Sequence, residues 1–387
     1  MKFNCLLLFL LFFYTNKSNA FDTTIVTQLL QRIDQLQVKE SGVFPKGLFP
    51  SYRTYALNQD RQKADINPFF TGLIVFTLER IKDQLTPYQQ KLVDQISSNA
   101  KPSFAKFKNR KGRDTYNFWP TDTAQIFPNS GWMNLFNKSQ SLPDDMDDTV
   151  IILMALKANE ETADNIHLLM QEYINGGKGK INNTFSSISH LPAYSVWFGN
   201  RMPVDFDISV LSNVLYFVQE YKLPFTKADS SSVQLIVKIL EEKKHITEPS
   251  FISPHYGSSE IILYHLSRLM ALKPIPELEK FKPMLIQQAQ KLEQKKQPFL
   301  NQVLLSSSLL RWGVKPDFIT VQNTLNLTQL IEDEQFSFFI ANMASMLPNQ
   351  LKKSFTASKL GTFKYYCPAY NNVLLLENII LHQKLVN

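Results

Sequence analysis

Two kinds of apolar segment alternate along this chain, and that alternation constrains its fold more than any single motif. One kind carries charge along one face at helical spacing: Thr24 to Leu36, Tyr88 to Ser97, Thr162 to Ile174, Ser230 to Glu242 and Glu277 to Gln294. Such stripes belong to helices that are wet on one side. The other kind is apolar or small nearly all round: Phe69 to Phe76, Thr149 to Ala158, Ile208 to Val218, Ser258 to Leu272, Asn301 to Leu310 and Val373 to Leu381. A helix with no polar face has to be buried on every side. Gly, Pro, Asn and Asp clusters separate the two kinds, as when helical hairpins repeat and bury their inner members against each other. The pattern predicts an all-α fold, an α/α toroid of five to six helical hairpins. An irregular helical array or two bundles is the alternative. Phe104 to Trp119 alternates on both sides of a Lys-Gly turn, which predicts a small β-hairpin over one end of the ring.

The chain can fill such a ring. Its 387 residues are 44% hydrophobic and include 29 Phe, 14 Tyr and 4 Trp, which excludes disorder, collagen and coiled coil. The first twenty residues join a basic Lys2, an apolar run from Cys5 to Tyr14 and a small-residue end at Ala20. They read as a secretory signal peptide, too short in its apolar run to span a bilayer. The expected mature chain is one domain over 21–387, exported to a periplasmic or extracellular place and without an integral membrane segment. Cys367 is then its only cysteine, so no intramolecular disulfide forms. Of 41 Lys and Arg, Lys2 and Lys17 belong to the leader, against 34 Asp and Glu. The remaining basic residues are scattered, and nucleic acid is not an expected partner.

Polar chemistry collects ahead of the dry helices. The loops Gly47 to Tyr55, Asp65 to Phe70, Asp114 to Pro120, Leu142 to Thr149, Ala193 to Asp207 and Ser253 to Glu260 are dense in aromatic, Asp, Asn and Pro residues. In a toroid they all open on one mouth. The sharpest is Pro143-Asp144-Asp145-Met146-Asp147-Asp148-Thr149. One Asp suffices to cap a helix. Four carboxylates within five positions repel one another, and burial then raises a carboxyl group until it is a neutral proton donor.

Asp145-x-Asp147-Asp148-Thr149 ahead of an apolar helix resembles the DxDDT motif of squalene-hopene and other class II terpenoid cyclases, whose fold is an α/α toroid. The resemblance implies that Asp147 is the proton donor, with Asp145 and Asp148 as its supports. Ile33-x3-Gln37-x4-Gly42-x-Phe44 is similar to the QW repeat of that family, with Phe where Trp is expected.

Asp205 and Asp207 form a second acidic group that reads either as a helix cap with a salt bridge or as a partner of Asp147. Carboxylates facing across a cavity act as acid and base on a sugar when roughly 5 to 9.5 Å apart, and Glu260 can join them. Tyr116, Trp119, Trp132, Tyr194, Trp197 and Tyr256 lie in or near the same loops. Their faces suit a carbocation or the apolar face of a sugar; packing in the core is the plainer alternative. Gly176 to Lys180 lacks the spacing of a P-loop. Ser98-Asn99-Ala100-Lys101 is an SxxK in the wrong context, before Pro102. The basic turn Lys106 to Arg113 reads as a solvated tip or as a receiver of an anion. The six His residues show no ligand spacing, and the zinc site of protein prenyltransferases, which share the toroid, is not visible. Neither metal nor cofactor is expected. The ligand is therefore expected to be a small apolar molecule or a glycan, and a non-catalytic interaction scaffold is the remaining alternative.

Overall fold

The computed structural model describes residues 24–56, 62–123, 125–126, 142–199, 201–317, 327–358 and 360–386. The expected leader at 1–20 and Trp132 lie outside them. The chain is mostly helical, with sixteen α-helices among the described residues. In chain order these are α1 (24–36), α2 (Phe69–Ile81), α3 (Pro87–Ala100), α4 (Met146–Leu156), α5 (Glu160–Met170), α6 (Ile208–Glu220) and α7 (Lys227–Glu241). The short turns α8 (Lys244–Thr247) and α9 (Pro249–Ile252) follow, then α10 (Ser259–Leu272), the short α11 (Pro276–Glu279), α12 (Lys282–Glu293), α13 (Phe299–Arg311), α14 (Leu327–Ile331), α15 (Asn349–Ser358) and α16 (Pro368–Val386).

Each dry segment of the sequence is a helix, and these six helices touch in a closed cycle. Helix α2 packs on α4, α4 on α6, α6 on α10, α10 on α13, α13 on α16, and α16 returns to α2. In α6 every residue from Ile208 to Val218 is buried, which is why its sequence has no wet face. In α3, by contrast, the buried residues are Gln89, Val93, Ile96, Ser97 and Ala100, a single stripe that faces α2. Helix α7 backs α6 in the same way, and α12 backs α10 and α13. The wet segment Glu277 to Gln294 is divided into α11 and α12, with Pro283 in the first turn of the second. One hydrophobic cluster runs through the described residues from Ile25 to Ile380.

The turns are set by local chemistry. Thr86 and Gln89 form a capping box at α3, and Thr226 and Asp229 form one at α7. Gln37, in the QW-like stretch, is buried and donates through Nε2 to the carbonyls of Gly47 and Ile96, both at 3.0 Å, tying the end of α1 to α3. Gly47 sits at φ +91°, and a Cβ there would lie 2.1 Å from the Asn99 carbonyl oxygen, so only glycine fits.

Two expectations are corrected. The fold is not all-α: strands β1 (Tyr52–Tyr55), β2 (Lys63–Ala64), β5 (Phe339–Asn342) and β6 (Thr362–Tyr366) form an antiparallel sheet in the order β2-β1-β6-β5, and β3 (Asp144–Asp145) pairs with β4 (Trp197–Phe198). The hairpin at Phe104 to Trp119 is not one either. Lys101–Phe107 is a 3-10 helix, and only a single antiparallel bridge, Lys108 to Tyr116, closes the turn. Pro102 lies in its first turn, and Phe104 and Phe107 are buried from it, so their spacing has a helical origin.

Candidate functional site

The N-terminal ends of α2, α4, α6, α10 and α16 lie together at one end of the helix cycle, here called its mouth, and the acidic loop stands there on a small β scaffold. Asp145 pairs with Trp197 in the β3 and β4 ladder, and its N–H donates to the Tyr116 carbonyl at 2.8 Å. The Asp145 Oδ1 caps α4 by accepting from the N–H groups of Asp147 at 2.7 Å and Asp148 at 3.0 Å. Thr149 locks the loop: its hydroxyl donates to the Asp145 carbonyl at 2.6 Å and accepts from the Tyr116 N–H at 2.9 Å. With the cap supplied by Asp145, the side chain of Asp147 is free to point elsewhere.

It points to α6 and to the start of α10. Asn213 Nδ2, from the middle of α6, donates to Asp147 Oδ1 at 2.7 Å, and the Tyr256 hydroxyl, just ahead of α10, donates to Oδ2. Burial pushes the Asp147 carboxyl up to about 7, and the charge of Asp145 adds to the effect. Burial likewise raises Asp145 to about 6, against the two N–H bonds it receives. Asp148 is raised well above the usual carboxylate range, first by burial and then by Asp145 and Asp147, and its Oδ1 has no hydrogen-bond partner. At neutral pH the three side chains therefore cannot all be ionised, and Asp147 holds a proton in a useful range.

A second group of carboxylates adjoins it. Asp207 caps α6 through Oδ1, which accepts from the N–H groups of Ser209 and Val210 and from the Ser253 hydroxyl, while Oδ2 accepts from the His255 N–H at 2.9 Å. Both oxygens are thus spent on holding the loops. Asp205 is paired with Lys352 of α15 at 3.3 Å and with His255 Nε2 at 3.7 Å. Burial alone would raise its carboxyl, but Lys352 and His255 hold it below the usual range. Burial would lower His255, yet Asp205, Asp207 and Asp145 together raise it.

Aromatic rings close the mouth. Phe339 of β5 lies 4.9 Å from the Phe69 ring, 5.2 Å from Phe118 and 5.9 Å from Tyr256, and it stacks on His255 at 6.2 Å. Its neighbour Phe338 packs against Tyr256, Tyr264, His265 and Tyr370. Two cavities flank this plug. One of about 460 Å³ is lined by Asn109, Arg113, Trp119, Asp144, Tyr173 and Arg201, among others. Another, of about 790 Å³, lies between the sheet and the starts of α10 and α13, with Tyr256 on its wall.

Of the residues expected from sequence, Asp145, Asp147, Asp148, Tyr256, Tyr116, Trp197, Asp205 and Asp207 meet at this mouth. Trp119 is one layer away, packed edge-on to Phe118 and donating to Asp65 at 3.1 Å. Tyr194 belongs elsewhere, in a network with Asp229 and Gln171 that links α7 to the end of α5. Glu260 turns outward and accepts from Gln297 at 3.2 Å. Sequence reading missed Asn213, His255, Arg268, Phe338, Phe339 and Lys352. A polar Asn in the otherwise apolar run of α6 is the signal that was available. Among the described residues no group of three or more His, Cys, Asp or Glu is placed to hold a metal ion, and no helix is long and apolar enough to cross a membrane. No known protein family, curated protein or solved structure matches the chain.

Proposed function

We propose that the closed cycle of six helices is an α/α toroid and that Asp147 at its mouth is a general acid, acting on an apolar, isoprenoid-like substrate in the manner of class II terpenoid cyclases. The observation that carries this reading is the setting of Asp147: buried, crowded by two further carboxylates, and held at both oxygens by Asn213 and Tyr256. In the proposed step the O–H bond of Asp147 breaks as a C–H bond forms on an alkene carbon. The carboxylate left behind is stabilised by its two donors, and the rings of Phe69, Phe118 and Tyr256 face the cation on the substrate. The substrate reaches Asp147 from the cavity of about 790 Å³ that has Tyr256 on its wall. On the reading of residues 1–20 as a signal peptide, the proposed activity belongs outside the cytoplasm.

A second reading, a cell-envelope glycan ligand, is favoured by the polar cleft where Asp144 accepts from Asn109, Arg113 and Thr115 beside Trp119 and Tyr173. It lacks a second free carboxylate, because Asp207 has both oxygens engaged and Asp205 is neutralised by Lys352. The deciding experiment is Asp147→Asn, assayed against isoprenoid substrates. Turnover should fall about 10² to 10⁴-fold while circular dichroism shows the helical fold intact. An Asp147→Asn protein with undiminished turnover sinks the acid reading.

A further inference from the structure

Arg268 of α10 is buried, with its guanidinium over the rings of Phe76 at 5.4 Å and Tyr264 at 5.5 Å. It makes no ion pair among the described residues, and its Nη1 has no hydrogen-bond partner. The nearby carboxylate of Glu377 is taken by Arg311 and Tyr264. A buried cation without a counter-ion costs stability, so what Arg268 does touch is informative. Its Nη2 donates to Asn213 Oδ1 at 2.5 Å.

A guanidinium only donates. The Asn213 oxygen must therefore face Arg268, and its NH₂ must face the other way. That NH₂ reaches Asp147 Oδ1 at 2.7 Å and stands 3.5 Å from the Tyr256 hydroxyl. An Oδ1 receiving an N–H in this position has no room for a hydrogen of its own on the same side. At Oδ2 the partner is a phenol, which accepts as well as donates.

We propose that Arg268 is a positioning residue that, acting through the Asn213 amide, confines the proton of Asp147 to Oδ2, the oxygen facing Tyr256. The inference deepens, and rests on, the reading of Asp147 as a proton donor. Without Arg268 the Asn213 amide is free to turn over and present its oxygen to Oδ1, which would draw the proton to the wrong side and hold it there. The titratable groups that face Asp147 are Asp145 at the cap of α4, Asp148 on α4, Asp207 at the cap of α6, and Tyr256 ahead of α10.

The test reads the proton and not turnover. The carbonyl stretch of protonated Asp147, assigned by its loss in Asp147→Asn, is followed by infrared difference spectroscopy against pH. Arg268→Gln, whose amide offers either a donor or an acceptor, should raise the midpoint by about one pH unit or more and shift the band, whereas Arg268→Lys, a donor only, should recover most of the difference. In an Asn213→Ala background Arg268→Gln should no longer move the midpoint. An equal shift in that background means that Arg268 acts as a bare charge, and an unmoved midpoint in Arg268→Gln alone means that it does not act at all; either overturns the proposal. Should Arg268→Gln not fold, the unaltered protein decides. Neutron diffraction locates the deuteriums of the Asn213 amide directly: facing Asp147 Oδ1 they support the orientation, and facing Arg268 they overturn it. The two failures are read separately: undiminished turnover in Asp147→Asn would remove the acid reading, whereas an unmoved infrared midpoint in Arg268→Gln would remove only the role of Arg268.

Discussion

Asp147 and Asp205 are the same residue type, equally buried, at the starts of neighbouring helices of one ring, yet the protein drives them in opposite directions. Asp205 has Lys352 and His255 against it and stays below the usual carboxylate range; Asp147 has Asp145 beside it and neutral donors at its oxygens, and rises to about 7. Burial penalises both alike. The sign of the neighbouring charge therefore separates a carboxylate that holds structure from one that holds a proton.

The hardest way to break this comparison is to remove the cation. Lys352→Met strips Asp205 of its closest counter-charge and should cost about 3 to 5 kcal/mol in denaturant unfolding. A loss below about 1 kcal/mol would mean that Asp205 never depended on it. A smaller effect is expected in pH dependence. The folded-state values of Asp147 and Asp145 lie above the carboxylate value of 3.8, so their contribution to stability is fully present below that value and is lost as pH rises toward 7. Asp205, held low, contributes above 3.8, and that contribution is lost as pH falls below it. Acidifying from about pH 7 to about pH 5 should therefore raise the melting temperature, and Asp147→Asn should flatten the rise. An unchanged slope in that variant would detach the effect from Asp147. The smallest changes are expected for the supports. In Asp145→Asn the new side chain caps a helix about as well, and in Asp148→Asn a partnerless carboxyl is relieved, so each should shift stability by less than about 1 kcal/mol. A larger loss in Asp145→Asn would show that its charge, and not its cap, holds the loop.

The six dry helices were legible because nothing else explains a segment such as Ile208 to Val218, apolar or small on nearly every face. The sheet was not. Its strands are two to five residues long, and β1 pairs with β6 across most of the chain, Tyr52 opposite Tyr366, a partnership with no local trace. The acidic loop was legible for a similar reason to the helices: four carboxylates exceed what a cap needs. Its partners Asn213 and Arg268 each stand as a polar residue inside a dry segment, a signal that marks the residue but not the neighbour it reaches. Glu260 does not join Asp205 and Asp207, because its position in sequence says nothing about which way the first turn of α10 faces. Phe338 and Phe339 come from a segment with no helical period at all.

The ring closes only where α16 meets α2, and β6 meets β1 at the same seam. During synthesis the five earlier members of the cycle stand ready before their last neighbour has been made, so the nascent chain is an open arc with apolar flanks on α2 and α13 bare to water. Contacts between partners so distant in sequence form slowly. The aromatic plug over Asp147 also comes late in the chain. Until Phe338 and Phe339 have been made the site lacks that cover, and a chain arrested at that stage would be a client for chaperones.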